Sequence, residues 1–273
     1  MTDSPPFTTS DLLAGSTPEP VSPGRFVWVV PDVWQQGRGA FGGLVLGALV
    51  RAIESSEPEK DRVVRSVTAE IAGPVLPGEA TIEVVQNRRG NGLSAWNATL
   101  YQQDQGLVRC SAVLARARNS DPLSIHLPTP SPPAWSDVPA MPIDTPGTPV
   151  FTRHMELRPM PPFPFSGAEE SLAGGWLRTR HPLPALGAPE IVALADVWWP
   201  SALATVRAPR PMGTVAFTLQ YFPPAVPLDP SLPLYFRGRV VAQQEGFMAE
   251  LRELWSADLR LVALNQQTIA WIR

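Results

Sequence analysis

Few side chains in this 273-residue chain have the types and spacing that catalysis or metal binding requires. The single cysteine, Cys110, has no partner for a disulfide or a Cys-x-x-Cys site, so we expect it to pack as a small buried side chain. His154 and His181 belong to no metal-ligand spacing, and we expect both at the surface or in loops. The sequence therefore implies no metal site and no cysteine nucleophile.

Two other features have the chemistry to contribute to a site. The glycine-rich sequence Gly-Arg-Gly-Ala-Phe-Gly-Gly at 37–43 leads into an apolar helical segment, and its glycines permit close approach to the amino terminus of that helix. Asp196 stands in the apolar sequence Ala-Leu-Ala-Asp-Val-Trp-Trp. This aspartate could lie on the solvent-exposed face of a helix, or it could be a functional carboxylate. The residues alone leave both interpretations open.

Apolar periodicity predicts one order of elements that occurs twice. In the first half the order is a strand, a helix and four strands, at 25–30, 44–53, 63–72, 79–89, 93–102 and 107–118. In the second half it is two strands, a helix and four strands, at 151–158, 175–180, 189–206, 214–222, 234–243, 246–255 and 261–272. A helix followed by antiparallel strands buries its apolar stripe across one sheet face, which gives a helix-wrapped α+β unit.

Direct comparison of the halves supports an internal duplication. The sequence Val-Thr-Ala-Glu-Ile at 67–71 matches Phe-Thr-Leu-Gln-Tyr at 217–221, an offset of 150 residues. Later matches, including Leu-Val at 107–108 with Leu-Val at 261–262, have an offset of 154, which we assign to an insertion in the proline-rich turn near 227–233. Because each unit would leave exposed strand edges, we predict that the units cover each other and form one continuous sheet.

Proline positions predict the domain boundaries. Nine of the 33 prolines lie within 119–149, where they remove the backbone donors that a central strand or a helix requires. We therefore predict a tail, a first repeat, a linker across the surface and a second repeat, at 1–23, 24–118, 119–149 and 150–273. We expect the Ser/Thr/Pro-rich tail to lie over the surface or to be mobile.

Composition argues against several function classes. Charged residues make up 17% of the chain and the formal net charge is −3, so no broad basic field is present to attract nucleic acid or anionic lipid. Apolar stretches are interrupted well before the roughly 20 residues that a membrane span needs, and the amino terminus has no signal pattern. We expect a cytoplasmic protein with no membrane span and no nucleic-acid partner.

Four short motifs in order resemble the double-hotdog acyl-CoA thioesterase II-like family. They are the glycine-rich segment at 37–43, Gly-Pro-Val-Leu-Pro-Gly at 73–78, Leu-Ala-Asp at 194–196 and Val-Ala-Leu-Asn-Gln-Gln at 262–267. The resemblance runs from about residue 24 to residue 273 and implies an α+β double hotdog. It also implies acyl-CoA or a related acyl thioester as substrate, no cofactor, and a homodimer that buries helix-free sheet surfaces.

The resemblance implies a catalytic site as well. The family's Asp on the second-half helix, its Thr or Ser at the start of the next strand and its Gln on the last strand match Asp196, Thr214 and Gln267. Asp196 would deprotonate a water that Thr214 and Gln267 position, because a thioester is activated enough for direct attack by water. Backbone N–H groups at Gly42 and Gly43 would hold the developing oxyanion.

Some positions limit these expectations. Leu44, in the same substrate-binding segment, stands where many family members have Gln, and this difference could reduce thioesterase activity. Gln266 and Gln267 point to opposite faces of a strand, and we expect Gln267 to face the site. The repeat offsets place Leu46, Val64 and Val113 at the first-half positions of the polar trio, which favours one active site per chain.

Three functions are considered for this site. Hydrolysis of medium- to long-chain acyl-CoA is the leading interpretation. A hotdog hydratase or dehydratase is less favoured, because that chemistry usually uses an Asp and His pair on the hotdog helix and no histidine follows Asp196. The alternative from another class is a non-catalytic binder of acyl chains or other hydrophobic ligands, with a tunnel lined by Trp198, Trp199, Phe217 and Trp255.

Overall fold

The computed structural model describes residues 11–119 and 127–272. The parts of the predicted tail and linker at 1–10 and 120–126 lie outside the described residues. Three α-helices occur within these ranges, namely α1 (Leu12–Gly15), α2 (Gly42–Ser56) and α3 (Ala188–Ala195). None of the helices in this part of the chain is long and apolar enough to cross a membrane.

Strands account for most of the regular structure. Those of the first half are β1 (Glu19–Ser22), β2 (Arg25–Val30), β3 (Gln35–Gln36), β4 (Gly39–Ala40), β5 (Val63–Ile71), β6 (Gly78–Arg89), β7 (Leu93–Gln102) and β8 (Gln105–Ala115). Those of the second half are β9 (Met155–Met160), β10 (Leu172–Thr179), β11 (Met212–Tyr221), β12 (Leu234–Gln244), β13 (Phe247–Trp255) and β14 (Leu261–Trp271). Strands β3 and β4 form a small hairpin of their own, and the described residues place the other twelve in one sheet.

The two halves meet where β5 pairs antiparallel with β11, and Thr68 opposite Thr218 is the middle pair of this ladder. Outward from the junction, one side of the sheet runs β5-β8-β7-β6-β2-β1 and the other runs β11-β14-β13-β12-β10-β9. The halves are therefore related by an approximate two-fold axis at the junction. The predicted double hotdog with one continuous sheet is confirmed.

Helices α2 and α3 pack against each other and against one face of the sheet. Helix α2 is apolar around most of its circumference, and residues 43–50 are all buried, as expected for a helix enclosed by protein on all sides. The two helices approach closely at glycines. A Cβ atom on Gly47 would lie 3.1 Å from the carbonyl oxygen of Pro189, and one on Gly43 would lie 2.6 Å from that of Ala193.

Residues 11–22 form regular structure rather than a simple tail. Asp11 caps α1 by accepting a hydrogen bond from the backbone N–H of Ala14 at 2.7 Å, and Leu12 is buried in the main core. The indole N–H of Trp28 donates to the carbonyl oxygen of Gly15 at 3.0 Å, and β1 pairs with β2. The predicted tail, expected to lie over the surface or to be mobile, therefore contains regular structure at these residues. A single apolar turn is too short to show periodicity in a proline-rich segment.

The second-half helix is shorter than predicted. Helix α3 ends at Ala195, and a separate 3-10 helix at Ser201–Ala204 follows it. Pro200 explains the break, because proline lacks a backbone donor and disfavours helical geometry in the residue before it. Asp196 is consequently the carboxyl-terminal cap residue of α3 rather than an interior helical residue.

His154 is buried, which corrects the expectation of a surface or loop position for this residue. It ends a 3-10 helix at Val150–His154, a segment for which a strand was predicted. Its ring stacks on Trp34 at 4.0 Å, and its Nε2 lies 3.0 Å from the carbonyl oxygen of Val33. Burial lowers the pKa of this imidazole. Its contacts with Trp34 and Val33 join the second half to the first.

The described part of the proline-rich segment, 127–149, contains a 3-10 turn at Trp135–Asp137 and no strand. Trp135 and Val138 pack with aromatic residues of β10, β12 and β13, including Trp255, in a cluster separate from the main core. Trp198 belongs to the main core with the helices. Trp255 therefore cannot line one tunnel together with Trp198, because the two residues lie on opposite faces of the sheet.

Candidate active site

Three elements bring the predicted polar trio together. Asp196 caps the end of α3, Thr214 lies near the start of β11, and Gln267 lies in the middle of β14, the strand that pairs with β11. The β11–β14 register shifts between Thr214 and Ala216, and such bulges redirect side chains from the regular alternation. Gln267 is fully buried and Gln266 is exposed, so Gln267 is the glutamine that faces the site.

A chain of hydrogen bonds links the three side chains. The hydroxyl of Thr214 donates to Oε1 of Gln267 at 2.7 Å. Nε2 of Gln267 donates to Oδ1 of Asp196 at 2.9 Å and to Oδ1 of Asn265 at 3.1 Å. Both ends of the Gln267 amide are thereby used, so its carbonyl side points to Thr214 and its amino side points to the carboxylate.

Asp196 has an unusual electrostatic environment. Only 11% of its side chain is exposed, and burial raises the pKa of its carboxyl group above the ordinary Asp value. The nearby charge of Arg252, the Gln267 hydrogen bond and the backbone N–H of Gly43 oppose this rise in pKa, and the charge of Glu250 adds to it. The group is therefore a stronger base than an exposed aspartate, provided that it is ionised.

The glycine-rich segment lies against this carboxylate. Gly42 and Gly43 form the first turn of α2, and a Cβ atom on Gly42 would be 2.9 Å from Oδ2 of Asp196. The site therefore requires the absence of a side chain at Gly42. Leu44 is fully buried in the main core, so its side chain offers the site no polar group.

Three residues beside the trio were missed by sequence reasoning. Asn265 accepts from Gln267 and donates to the carbonyl oxygen of Thr218 at 2.8 Å, which fixes both amides. Arg252 approaches Asp196 to 3.6 Å and pairs with Glu250 at 2.7 Å. Strand periodicity contained the signal for Asn265, because residues two apart on β14 share a face.

Family models match both halves of the chain. A model described as acyl-CoA thioesterase N-terminal domain matches residues 30–117, and one described as acyl-CoA thioesterase C-terminal domain matches residues 127–270. The chain belongs to the acyl-CoA thioesterase family. A comparison with curated protein sequences gives no significant match.

Solved structures share the fold of this acyl-CoA thioesterase family member over nearly its whole length. A hot dog fold protein of unknown function from Alicyclobacillus acidocaldarius is 22% identical with a TM-score of 0.86, covering 97% of this chain and 99% of its own. Acyl-CoA thioesterase II TesB2 from Mycobacterium marinum is 15% identical with a TM-score of 0.77, with coverages of 96% and 98%. The tesB protein of Mycobacterium avium subs paratuberculosis is 17% identical with a TM-score of 0.76 and the same coverages. At these identities the likeness shows the fold.

The strand registers of this family member correct one predicted repeat match. On the β11–β14 ladder, Gln267 pairs with Phe217. The two-fold relation centred on Thr68 and Thr218 makes Val67 the first-half equivalent of Phe217. Val67 lies opposite Ala112, so the first-half counterpart of Gln267 is Ala112 rather than Val113. Between equivalent paired positions, the chain from β13 to β14 is one residue longer than the chain from β7 to β8, which a comparison of short motifs did not detect.

The helical match is also corrected. When the starts of α2 and α3 are aligned, Gly43 corresponds to Pro189 and Gly47 corresponds to Ala193. The close contact of Gly43 with Ala193 is then the symmetry equivalent of the contact of Gly47 with Pro189, as an approximate two-fold axis requires. In this alignment, Val50 rather than Leu46 is the first-half counterpart of Asp196. Val50, Val64 and Ala112, the corrected counterparts of the trio, are all buried apolar residues, so the polar trio occurs in the second half alone.

Proposed function

We propose that this protein hydrolyses acyl-CoA or a related acyl thioester of medium to long chain length, with Asp196 as the general base. The observation that carries the proposal is the chain of hydrogen bonds from Thr214 through Gln267 to Asp196. It lies beside the amino terminus of α2, in a chain of the acyl-CoA thioesterase family. The fold, the carboxylate and the helix terminus together provide the groups that hydrolysis of a thioester needs.

In this mechanism a water molecule attacks the thioester carbonyl directly. Asp196 takes a proton from the water as its oxygen bonds to the carbonyl carbon. Gln267 and Thr214 fix the position of the carboxylate and of the water. Collapse of the tetrahedral intermediate breaks the carbon–sulfur bond, and the proton held by Asp196 is available to the departing thiolate.

The oxyanion forms next to the first turn of α2 in this proposal. Backbone N–H groups of a first helical turn have no acceptor within the helix, and the helix dipole favours negative charge there. The N–H of Gly43 already faces Asp196 and lowers its pKa. We therefore assign the oxyanion to the neighbouring N–H groups of Gly42 and Leu44, which modifies the predicted Gly42 and Gly43 pair.

The proposed acyl chain length rests on the apolar residues that neighbour Gln267 on β14. Two positions beyond Gln267 on the same face of β14, Ile269 is fully buried and packs with Met248 and Ala202. Apolar residues next to Gln267 on this strand suit a hydrocarbon chain better than a short polar acyl group. Leu44 supplies no side-chain donor or acceptor for the water, so we expect turnover to be modest.

Release of free thiol from acyl-CoA substrates of two to eighteen carbons tests the proposal. We expect thiol release to peak at medium or long chains and to be lost in Asp196→Asn. Gln266→Ala is the matched control, since Gln266 is exposed beside Gln267 on the same strand. If the protein binds acyl-CoA in calorimetry but releases no thiol from any substrate, the hydrolase proposal fails and the non-catalytic binder replaces it.

A further inference from the structure

An ion pair is buried next to the polar trio at a place where an apolar core is expected. Glu250 and Arg252 lie on β13 with their side chains on the buried face, and 0% and 2% of their surfaces are exposed. Charged side chains are almost never fully buried unless they are paired. Their position therefore needs an explanation in either folding or function.

The contacts of this pair form a path to Asp196. The backbone N–H and the hydroxyl of Ser201 donate to Oε2 of Glu250 at 2.8 and 3.0 Å. Oε1 of Glu250 accepts from Nε of Arg252 at 2.7 Å. Nη1 of Arg252 then lies 3.4 Å from the carbonyl oxygen of Ala195 and 3.6 Å from Oδ1 of Asp196. The guanidinium is held from behind and faces the end of α3.

The first half shows that folding does not require these charges. On β13 and β14, Glu250 lies opposite Gln267 and Arg252 lies opposite Asn265. In the equivalent ladder of β7 and β8, the paired residues are Trp96 with Ala112 and Ala98 with Cys110. The hotdog unit therefore folds with four apolar residues at the positions where the second half has four polar ones.

Energetics lead to the same conclusion. Removing two charges from water costs several kcal/mol for each ion in real proteins, and well-packed apolar residues are often at least as stabilising as a buried pair. At the four equivalent ladder positions, the first half of this chain has no charged residue. A buried pair that points at the carboxylate of the candidate site is thus better explained by the chemistry of that carboxylate.

We propose that Arg252 is a positioning residue that keeps the Asp196 carboxylate ionised and oriented, and that Glu250 and Ser201 hold the Arg252 guanidinium in place. This inference rests on the proposed role of Asp196 as the base. Asp196 is buried at the carboxyl-terminal end of α3, where the helix dipole and burial both favour the neutral acid. A neutral Asp196 could not accept a proton from water.

The separation of 3.6 Å suits this role. It is too long for a hydrogen bond, so the guanidinium stabilises the negative charge without occupying an oxygen lone pair of Asp196. Among the described residues, the charged groups that act on Asp196 are Arg252, which lowers its pKa, and Glu250, which raises it. Glu250 therefore limits the influence of Arg252, so Asp196 stays basic while it remains charged.

The test compares the titration of Asp196 in wild-type protein and in three variants. The double variant Glu250→Gln/Arg252→Met removes both charges and leaves no unpaired buried ion. The single variant Glu250→Gln removes the charge that opposes Arg252. Glu57→Gln/Arg89→Met is the control, since it removes a partly buried pair with a 2.7 Å contact in the other half.

Asp196 is titrated by carbon-13 NMR of its carboxyl carbon, assigned with Asp196→Asn, and kcat/KM is measured against pH in parallel. In the double variant we expect the NMR midpoint and the acid limb of kcat/KM to move to higher pH, because Arg252 lowers the pKa of Asp196 more than Glu250 raises it. The net rise should be smaller than the roughly 1–3 units that the loss of an opposite charge alone produces, since the loss of Glu250 acts in the other direction. In Glu250→Gln the NMR midpoint and the acid limb of kcat/KM should both move to lower pH, because the charge of Glu250 raises the pKa of Asp196. The control should match the wild type.

Each outcome decides a separate point. An unchanged Asp196 midpoint in the double variant would overturn the role of Arg252, whatever the activity. An equal loss of activity at every pH with an unchanged midpoint would show a structural role only. If no variant and no wild-type protein releases thiol, the proposed hydrolysis fails, and the NMR titration still decides whether Arg252 controls the charge of Asp196. If the double variant does not fold, Glu250→Gln decides the point: a midpoint that does not move to lower pH would overturn the electrostatic coupling of this pair to Asp196. Arg252→Lys keeps the charge and should retain the wild-type midpoint.

Discussion

At the scale of single residues, the candidate site depends on one carboxylate that accepts hydrogen bonds from a fixed amide. Because the amide of Gln267 is held by Thr214 and Asn265, the site does not need to rearrange to present Asp196 to water. This preorganisation is the condition under which a general base is most effective. The three members of the trio should contribute unequally to kcat, because Asp196 takes a proton whereas Gln267 and Thr214 position other groups.

Replacing Asp196 with Asn should lower kcat by about 10²–10⁴-fold, the usual effect of losing a general base. The amide keeps the shape of the side chain but cannot accept the proton. Acyl-CoA affinity, measured by calorimetry, should stay within a few-fold of wild type. A variant that hydrolyses acyl-CoA at the wild-type rate would remove Asp196 from the mechanism.

Replacing Gln267 or Thr214 with Ala should lower kcat less than Asp196→Asn does, because these side chains position groups and take no proton. Steady-state kinetics of the purified variants check this order. The first-half change Val64→Ala is the matched control and should alter stability without removing the chemistry, because its apolar site contains no equivalent carboxylate. A loss for Val64→Ala as large as that for Thr214→Ala would contradict the assignment of the site to the second half.

The pH dependence of activity should reflect the burial of Asp196. Because burial raises the pKa of this carboxyl group, the acid limb of kcat/KM should lie above the ordinary Asp value of about 3.9. The raised pKa also means that this group contributes stability below its unfolded pKa, and that this contribution is lost as pH rises through its folded pKa. Asp196→Asn should therefore unfold in urea at a midpoint no lower than that of wild type at neutral pH.

At the scale of helices and strands, glycine determines how closely α2 approaches its neighbours. A Cβ on Gly42 meets Oδ2 of Asp196, whereas a Cβ on Gly43 meets the backbone of α3 and the ring of Phe41. Gly42→Ala should therefore reduce kcat more than stability, and Gly43→Ala should reduce stability by about 1–3 kcal/mol through overpacking. Urea unfolding and thiol release measure the two effects. Gly92→Ala, where a Cβ meets nothing within 4 Å, should change neither.

The carboxyl-terminal end of α2 is held to β7 by a buried carboxylate. Glu57 accepts from the hydroxyl of Ser94 at 2.5 Å and from the indole N–H of Trp96 at 3.0 Å. It also pairs with Arg89, and its hydrogen bonds hold its pKa at about 2 against the opposing effect of burial. A depressed pKa gives stability that is present above the unfolded value and lost as pH falls. Glu57→Gln should therefore destabilise the protein in urea at pH 7 and have a smaller effect near pH 3.

Strand predictions succeeded where alternation was long and failed where a boundary depended on one residue. The strands at 63–72, 79–89 and 93–102 were placed within one residue of β5, β6 and β7, because each contains alternating apolar positions, such as residues 80, 82 and 84 of β6. The helix that Asp196 caps was predicted to end eleven residues too late, since the apolar sequence continues past Pro200. The one-residue error at Ala112 arose in a turn, where sequence similarity between the repeats is lost.

The same contrast applies to the site. The sequence singled out Asp196 and Gln267 through short motifs and Thr214 through its place at the start of a strand, and strand alternation separated Gln267 from Gln266. Arg252 and Glu250 could not be predicted in the same way, because an inward charge on a strand is interpretable only when the opposite carboxylate is known to be there. Long-range proximity between β13 and the end of α3 is a property of the fold.

At the scale of the whole molecule, we predict that the protein forms a homodimer through the helix-free faces of its sheets. Within the described residues, the segment 127–149 covers part of that face in the second half through Trp135 and Val138. Association should therefore use the remaining helix-free surface. Multi-angle light scattering at increasing concentration checks this expectation, and a strict monomer at high concentration would contradict it.

The β5–β11 ladder means that covalent continuity and structural continuity occur at different places in this molecule. The halves are joined along the chain through 119–149, yet the sheet is continuous through strands far from that segment, with Thr68 and Thr218 at the centre. Two separately expressed fragments, divided between residues 119 and 127, should therefore reassemble into an intact sheet when mixed. The fold of this single chain can be regarded as a heterodimer of two diverged subunits, of which one keeps the carboxylate and the other supplies the helix terminus that faces it.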